Sequence, residues 1–386
     1  MKHVAIGDIG RPDNLARRHF LGACAAAGAG TTLTSAPAAG SDADWEERRR
    51  GYRERWLELL GPFPEEAPPL DVKMERVRDI QGIECHYVTY QTEPGERVPG
   101  YLLIPENARS RPSPTLLCIH STTGGAGKRR IVGLSGSAPE DPPDEPATSR
   151  AYGLELARWG YITFSFDLIC DGERIPEGLT RYDTTAFYAR HPEWSAVGKN
   201  IWDTMRAVDF LETLDVVDPK RIGCVGHSLG GHSSLFAAAF EPRIAAVVSN
   251  GGQLSWVRDT DHWSRPTTNN GAPVHNYVYI RKFRPYLEDK AKPLPVDFEH
   301  LMMLVAPRPL LIQGTESEFA RDDSVNKLAQ AAEVYRALDA GDRPALFSFP
   351  GKHNYPPVAK RHSFVWFDRW FNHTPAVPTI WPDVAV

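Results

Sequence analysis

The sequence predicts a three-layer α/β fold with a mostly parallel central sheet covered by helices on both faces, and three observations carry that expectation. First, Thr115 to Ile119 (TLLCI), Tyr161 to Phe166 (YITFSF), Arg221 to Val225, Ile244 to Ser249 (IAAVVS), Pro309 to Ile312 and Ala345 to Phe349 are continuous apolar runs. Strands without alternation are buried on both faces, the condition of a parallel sheet under helices. Second, helical stretches fall between these runs, at Tyr152 to Trp159, Asn200 to Leu214, Ser233 to Phe240, Ser324 to Leu338 and Lys360 to Asn372. Strand and helix therefore alternate as a doubly covered sheet requires. Third, Gly226, His227, Ser228, Leu229 and Gly230 spell G-x-S-x-G between the strand Arg221 to Val225 and the small-residue helix Gly231 to Phe240. A serine at the apex of a strand-turn-helix is held exposed at a helix N-terminus, where backbone N–H groups favour developing negative charge. Flanking glycines are needed because a Cβ there would meet the neighbouring strand or helix.

The rest of the chain fits around that sheet. Asp44 to Leu60 has an acidic start, helical periodicity and a Gly-Pro stop, and reads as a surface helix packing Trp56, Leu57 and Leu60. Ile83 to Tyr90 and Val98 to Ile104 alternate between turn residues, which predicts an antiparallel pair joining the sheet. The organisation read from this is 1–39 as a leader, 40–110 as N-terminal helix and strand pair, and 111–386 as the core. Three irregular segments, near 123–149, 171–199 and 252–300, follow strand ends and should form the rim where chemistry sits in such sheets. The last holds Trp256, His262, Trp263, Tyr277 and Tyr279. Of these, Trp256, His262 and Trp263, together with His227 of the turn, are assigned to a substrate pocket, the alternative being that aromatics here simply pack a loop.

The chain has 386 residues, 41% apolar and 24% charged, with net charge −5. No apolar run reaches the roughly 18 residues of a membrane span. A mild negative charge with scattered cations argues against nucleic acid as a partner. At the N-terminus, Arg17 and Arg18 precede Phe20, Leu21 and an alanine/glycine-rich stretch with an A-x-A-like site near Ala36 to Ala38. That pattern resembles a twin-arginine export signal, so the mature protein is expected in the periplasm or outside the cell. Cys24 in LGAC directly follows the arginines, with no apolar core ahead of it, so lipidation is not expected. Cys85, Cys118, Cys170 and Cys224 lack metal-ligand spacing, and no disulfide is assigned. No dinucleotide fingerprint, phosphate loop or H-E-x-x-H is present, so neither cofactor nor metal is expected.

A serine hydroxyl is a weak nucleophile and needs a base in hydrogen-bond reach, itself oriented by a third group. At an elbow of this kind the partners follow in the order serine, acid, histidine. His353 is the expected base, because the final strand ends in Pro350 and Gly351 just before it. His362 and His373 belong to the terminal helix or its flank, while His262, His275 and His300 precede the strand that should supply the acid. That acid should lie in Gln313 to Asp323 (QGTESEFARDD), where Glu318 is the choice, Glu316 its rival, and Asp322 and Asp323 fit a helix start. The oxyanion hole is expected from the amides of Leu229 and Thr122, the latter in the glycine-bearing loop after His120.

The succession of LLCIHSTTGGAGK (Leu116 to Lys128), Tyr152 to Arg174, the elbow, APRPLLIQG (Ala306 to Gly314) and GKHNYP (Gly351 to Pro356) resembles the α/β-hydrolase superfamily. Within it the chain is similar to dienelactone-hydrolase-like and acetyl-xylan-esterase-like bacterial enzymes over nearly all of the sequence after Pro69. The resemblance implies a cofactor-free serine esterase acting on small-molecule or carbohydrate esters, plant-polysaccharide side chains among them, with Ser228, His353 and an acid at Glu318. Two departures stand out. Many relatives carry aspartate in the acid slot, and true dienelactone hydrolases carry cysteine, not serine, as nucleophile. The rival readings are amide or peptide cleavage on the same scaffold, and a non-catalytic carbohydrate-binding protein.

Overall fold

The computed structural model describes residues 42–134, 150–253, 267–269, 272–275, 278–289 and 291–377. The stretch expected as an export signal, residues 1–39, therefore lies outside the described residues, as do Trp256, His262, Trp263 and Tyr277. The chain begins with α1 (Asp42–Leu60), then β1 (Lys73–Ile80), β2 (Ile83–Glu93), β3 (Glu96–Ile104) and β4 (Ser113–Ile119). Next come a single turn α2 (Lys128–Ile131), α3 (Tyr152–Trp159), β5 (Ile162–Phe166), α4 (Thr185–Arg190) and α5 (Ala196–Glu212). The elbow joins β6 (Val217–His227) to α6 (Leu229–Phe240), followed by β7 (Ile244–Asn250), the β8 (Thr267–Asn269) and β9 (Ala272–His275) hairpin, and α7 (Arg284–Glu288). The chain closes with α8 (Phe298–Val305), β10 (Leu310–Thr315), α9 (Glu316–Asp322), α10 (Ser324–Ala337), β11 (Pro344–Phe349) and α11 (Pro357–Phe371).

Nine strands form one sheet in the order β1-β2-β3-β5-β4-β6-β7-β10-β11. Pairing is antiparallel from β1 through β3 to β5 and parallel from β5 to β11. Every residue of β4 and β5 is buried, as continuous apolar runs require. On one face α1, α5, α6, α8 and α10 pack over a core that includes Trp56, Phe236, Leu301 and Ile312. On the other, α3 and α11 cover Leu116, Val225, Val248 and Phe367. Trp56 is fully buried and meets Phe236 edge-on at 5.1 Å. Thus α1 braces α6, the helix whose N-terminus carries Ser228, and truncating such a tryptophan costs about 3–5 kcal/mol.

Several elements depart from the sequence reading, among them an edge strand and a covering helix. The expected strand pair is a three-strand arm, because β1 adds an edge that is almost wholly exposed and carries Lys73, Glu75, Arg76, Arg78 and Asp79. Charge on an edge strand discourages sheet-to-sheet association and hides the strand from a search for apolar runs. The segment read as irregular up to residue 300 ends in the first turn of a helix. That helix is α8, opened by a capping box between Asp297 and His300, and its apolar residues are buried. All four cysteines among the described residues are free and buried.

Candidate active site

Ser228 sits on the sharp turn between β6 and α6 with φ 57° and ψ −118°, a left-handed conformation that costs about 1–3 kcal/mol in a non-glycine residue. Its N–H donates to the Asn250 carbonyl at 2.8 Å, which ties the turn to the end of β7. The two motif glycines have steric reasons. A Cβ on Gly226 would lie 2.2 Å from the Gly230 carbonyl oxygen, and one on Gly230 would lie 2.0 Å from that of Ile119. That close approach brings the end of β4 and its loop alongside the first turn of α6.

The three side chains expected to act together are hydrogen-bonded in sequence. His353 Nε2 lies 2.8 Å from Ser228 Oγ, and His353 Nδ1 is hydrogen-bonded to Glu318 Oε1. The histidine follows β11 and remains 43% exposed at its side chain, whereas Glu318 is only 7% exposed. Glu318 occupies the third position of α9, where Thr315 caps the helix and the Glu318 carboxylate reaches back to the Thr315 N–H at 2.8 Å. One oxygen of the carboxylate thus closes a capping box while the other faces the imidazole. Burial alone would raise its pKa. The hydrogen bonds from His353 and from Thr315 N–H outweigh that and hold it at about 2, so it is ionised throughout the working range. Its rival Glu316 is exposed, Asp322 is bound by Arg321, and Asp323 lies at the junction of α9 and α10. The T-x-x-E spacing, a capping box, separates Glu318 from Glu316 in the sequence itself.

His227 was expected in the pocket wall, and the structure places it behind the site instead. It is completely buried, its ring centre 4.7 Å from that of His353. Asn250 Nδ2 donates to its Nδ1 at 2.7 Å and to the Asn354 carbonyl at 2.9 Å. Burial, then the neighbouring His353 and Arg150, push its pKa down to about 3. A neutral ring against His353 adds no repulsion when that imidazole takes up a proton. Tyr279, from the same expected rim, is likewise packed inside, with its ring against His232 at 5.3 Å.

Leu229, next to Ser228, is the first residue of α6, so its N–H has no acceptor within the helix. Thr122 is exposed, and its amide has no partner among the described residues. Sequence reasoning missed the groups around that loop: Arg150, whose Nη1 lies 3.3 Å from Ser121 Oγ, and the buried Asp171 and Tyr182. The signal available was two aspartates, Asp167 and Asp171, directly after the buried strand β5.

Among the described residues, Glu93, Glu96 and His191 offer ligand atoms within 4.8 Å of one another. Lys199 Nζ, however, lies 2.8 Å from Glu93 Oε1 and 3.4 Å from Glu96 Oε1, so an ammonium already supplies the positive charge these carboxylates require. Glu93, Glu96 and His191 also line a cavity of about 650 Å³ that does not include Ser228 or His353.

Sheet order and the strand-turn-helix at Ser228 define an α/β-hydrolase fold, and the proteins the chain is similar to are named as esterases and hydrolases. Residues 162–339 match the family described as fungal glucuronyl esterase. The carbohydrate esterase MZ0003, from an unknown prokaryotic organism, is 30% identical over 204 residues, 51% of this chain and 45% of that one. YtaP of Bacillus subtilis (strain 168), described as a hydrolase, is 23% identical over 327 residues, 83% of this chain and 99% of that one. A glucuronoyl esterase from Solibacter usitatus superposes with a TM-score of 0.64 at 20% identity, covering 88% of this chain and 96% of that one. The chain thus spans about half the length of the curated carbohydrate esterase it matches and nearly all of YtaP.

Proposed function

We propose that the protein is an exported serine carboxylic-ester hydrolase acting on esters of carbohydrates, with the alkyl ester of a uronic acid as its first candidate substrate. The observation that carries this reading is the unbroken chain of hydrogen bonds from Glu318 through His353 to the strained Ser228 at a helix N-terminus. The substrate class rests on the names of the relatives, and the export step on the arginine pair Arg17 and Arg18 ahead of the alanine-rich stretch, removed with residues up to about 39. No helix among the described residues is long and apolar enough to cross a membrane. The mature chain then divides into residues 40–110, which extend the sheet, and a catalytic core from 111 onwards.

In this mechanism Ser228 Oγ attacks the ester carbonyl carbon while His353 Nε2 takes its proton. The negative charge on the former carbonyl oxygen is met by the amides of Leu229 and Thr122, each such donor being worth about 3–4 kcal/mol in the transition state. Ionised Glu318 holds the imidazole in the tautomer with hydrogen on Nδ1 and stabilises the imidazolium. Collapse of the intermediate expels the alcohol, which leaves with the proton from His353. Water repeats the sequence on the acyl-enzyme and frees the acid and Ser228.

The test is hydrolysis of a methyl glucuronoyl ester, an acetylated xylan, a feruloylated sugar and p-nitrophenyl acetate by the wild-type protein and by Ser228→Ala. Turnover of at least one carbohydrate ester, abolished in the variant without a change in melting, is the expected result. Cleavage of peptide p-nitroanilides in preference to all four esters, or full activity in Ser228→Ala, would overturn the reading.

A further inference from the structure

The loop after β4 contains a feature that the triad does not explain: both peptide planes that flank Thr122 are anchored by buried side chains. His120, fully buried, donates from Nδ1 to the Ser121 carbonyl at 2.7 Å and accepts the Leu168 N–H at Nε2, 3.0 Å away. Only the neutral tautomer with hydrogen on Nδ1 satisfies both bonds. A trans peptide points its C=O and N–H in opposite directions, so anchoring the Ser121 carbonyl sends the Thr122 N–H the other way. The following plane is fixed as well. Thr123 N–H donates to Tyr182 Oη at 2.7 Å, and Tyr182 Oη donates to Asp171 Oδ2 at 2.5 Å. Thr123 Oγ1 donates to the same Asp171 oxygen at 2.8 Å and accepts the Gly127 N–H at 2.6 Å.

The supporting parts are themselves over-determined. Asp171 is fully buried and also accepts the Gly172 N–H at 2.9 Å. Tyr182 stands at φ 60°, a conformation uncommon outside glycine, with its N–H on the Cys170 carbonyl at 2.7 Å. Burial and then the Asp171 charge raise the Tyr182 pKa, so the phenol stays protonated and serves Thr123 N–H only as an acceptor.

We infer that Tyr182, seated on Asp171, is a positioning residue for the oxyanion hole: it occupies the Thr123 amide and thereby leaves the Thr122 amide as the donor aimed at the developing oxyanion. The inference rests on the esterase reading above. A donor that is displaced, not deleted, loses only part of the roughly 10²–10³-fold that one oxyanion donor contributes.

The experiment uses the full chain with Tyr182→Phe, Thr123→Val and Thr123→Ser, and p-nitrophenyl acetate as substrate. For Tyr182→Phe the expectation is a fall in kcat of about 10–100-fold with KM within about threefold, since the lost contact acts only as charge develops. Affinity for an aryl trifluoromethyl ketone, which forms an anionic adduct with a serine, should weaken by the same factor. Thr123→Val should follow the same pattern, and Thr123→Ser, which keeps the hydroxyl, should restore kcat to within about threefold of wild type. Unchanged kcat and ketone affinity in both Tyr182→Phe and Thr123→Val, or losses that appear in KM and melting temperature alone, would overturn the inference. Ser228→Ala separates the two claims: if it abolishes turnover while Tyr182→Phe does nothing, only the positioning role fails.

Discussion

The triad and the Lys199 cluster both gather acids and bases at the rim formed by the ends of the sheet, yet they differ in exposure and in how completely each charge is matched. Lys199 is fully buried and contacts Asp203 at 2.5 Å, Glu93 at 2.8 Å and Thr92 Oγ1 at 2.9 Å. Arg174 joins it, bound to Asp203 at 2.7 Å and Glu96 at 2.6 Å. These ion pairs tie α5 to the β2–β3 hairpin and to the loop after β5. In the triad, the central member is an imidazole 43% exposed on its open side, and the serine it touches sits in a strained backbone. Reactivity needs a group that can take up a proton and a neighbour still free to give one. The Lys199 cluster instead holds its carboxylates in ion pairs, so we read similar residue types as architecture there and as chemistry at the triad.

Breaking each cluster at its acid or base tests that contrast. Glu318→Gln should have the largest effect. Its amide oxygen can still accept the Thr315 N–H, so α9 stays capped, but the amide hydrogens now face His353 Nδ1 and favour the tautomer with hydrogen on Nε2, pointing at Ser228. A fall in kcat of about 10³–10⁴-fold with little change in melting is expected, measured by ester hydrolysis beside a thermal scan. Lys199→Met should do the reverse: destabilisation by about 3–5 kcal/mol in urea unfolding, because Asp203 and Glu93 lose their buried partner, while kcat per folded molecule changes little. Equal losses of stability and kcat in both variants would erase the distinction between the two clusters.

His227→Phe gives the smallest and most specific effect. Because the folded pKa of His227 is depressed to about 3 from an ordinary 6.5, the unfolded chain binds a proton that the folded one refuses. Its contribution to stability is therefore complete above about pH 6.5 and is lost as pH falls towards 3. The phenylalanine variant should show a shallower drop in urea midpoint between pH 7 and pH 4 than the wild type. An identical drop in both proteins would mean that His227 does not titrate on unfolding.

How much of this was readable from the sequence follows from the range of the contacts. The elbow, its strand and its helix are local, and the order of serine, acid and histidine along the chain selected Ser228, Glu318 and His353 from many candidates. The parallel strands were readable because burial on both faces removes alternation. The edge strand β1 was not, because its exposed charges mask any pattern, and the first turn of α8 falls at the end of the segment read as irregular rim. His227 shows a limit of motif reading, since its place in G-x-S-x-G says nothing of which way the ring turns. Asp171 and Tyr182 were unreadable for another reason. They meet Thr123 across 48 and 59 residues, and only the folded sheet brings the β4 and β5 loops together.

The central claim, that Ser228 is an activated nucleophile, is tested most directly by treating the full chain with a fluorophosphonate and locating the adduct by peptide mass spectrometry. Stoichiometric modification at Ser228, suppressed by at least a hundredfold in rate when His353 is changed to alanine, is the predicted result. Failure of the wild-type protein to label, or labelling of Ser228 at the same rate without His353, would contradict it.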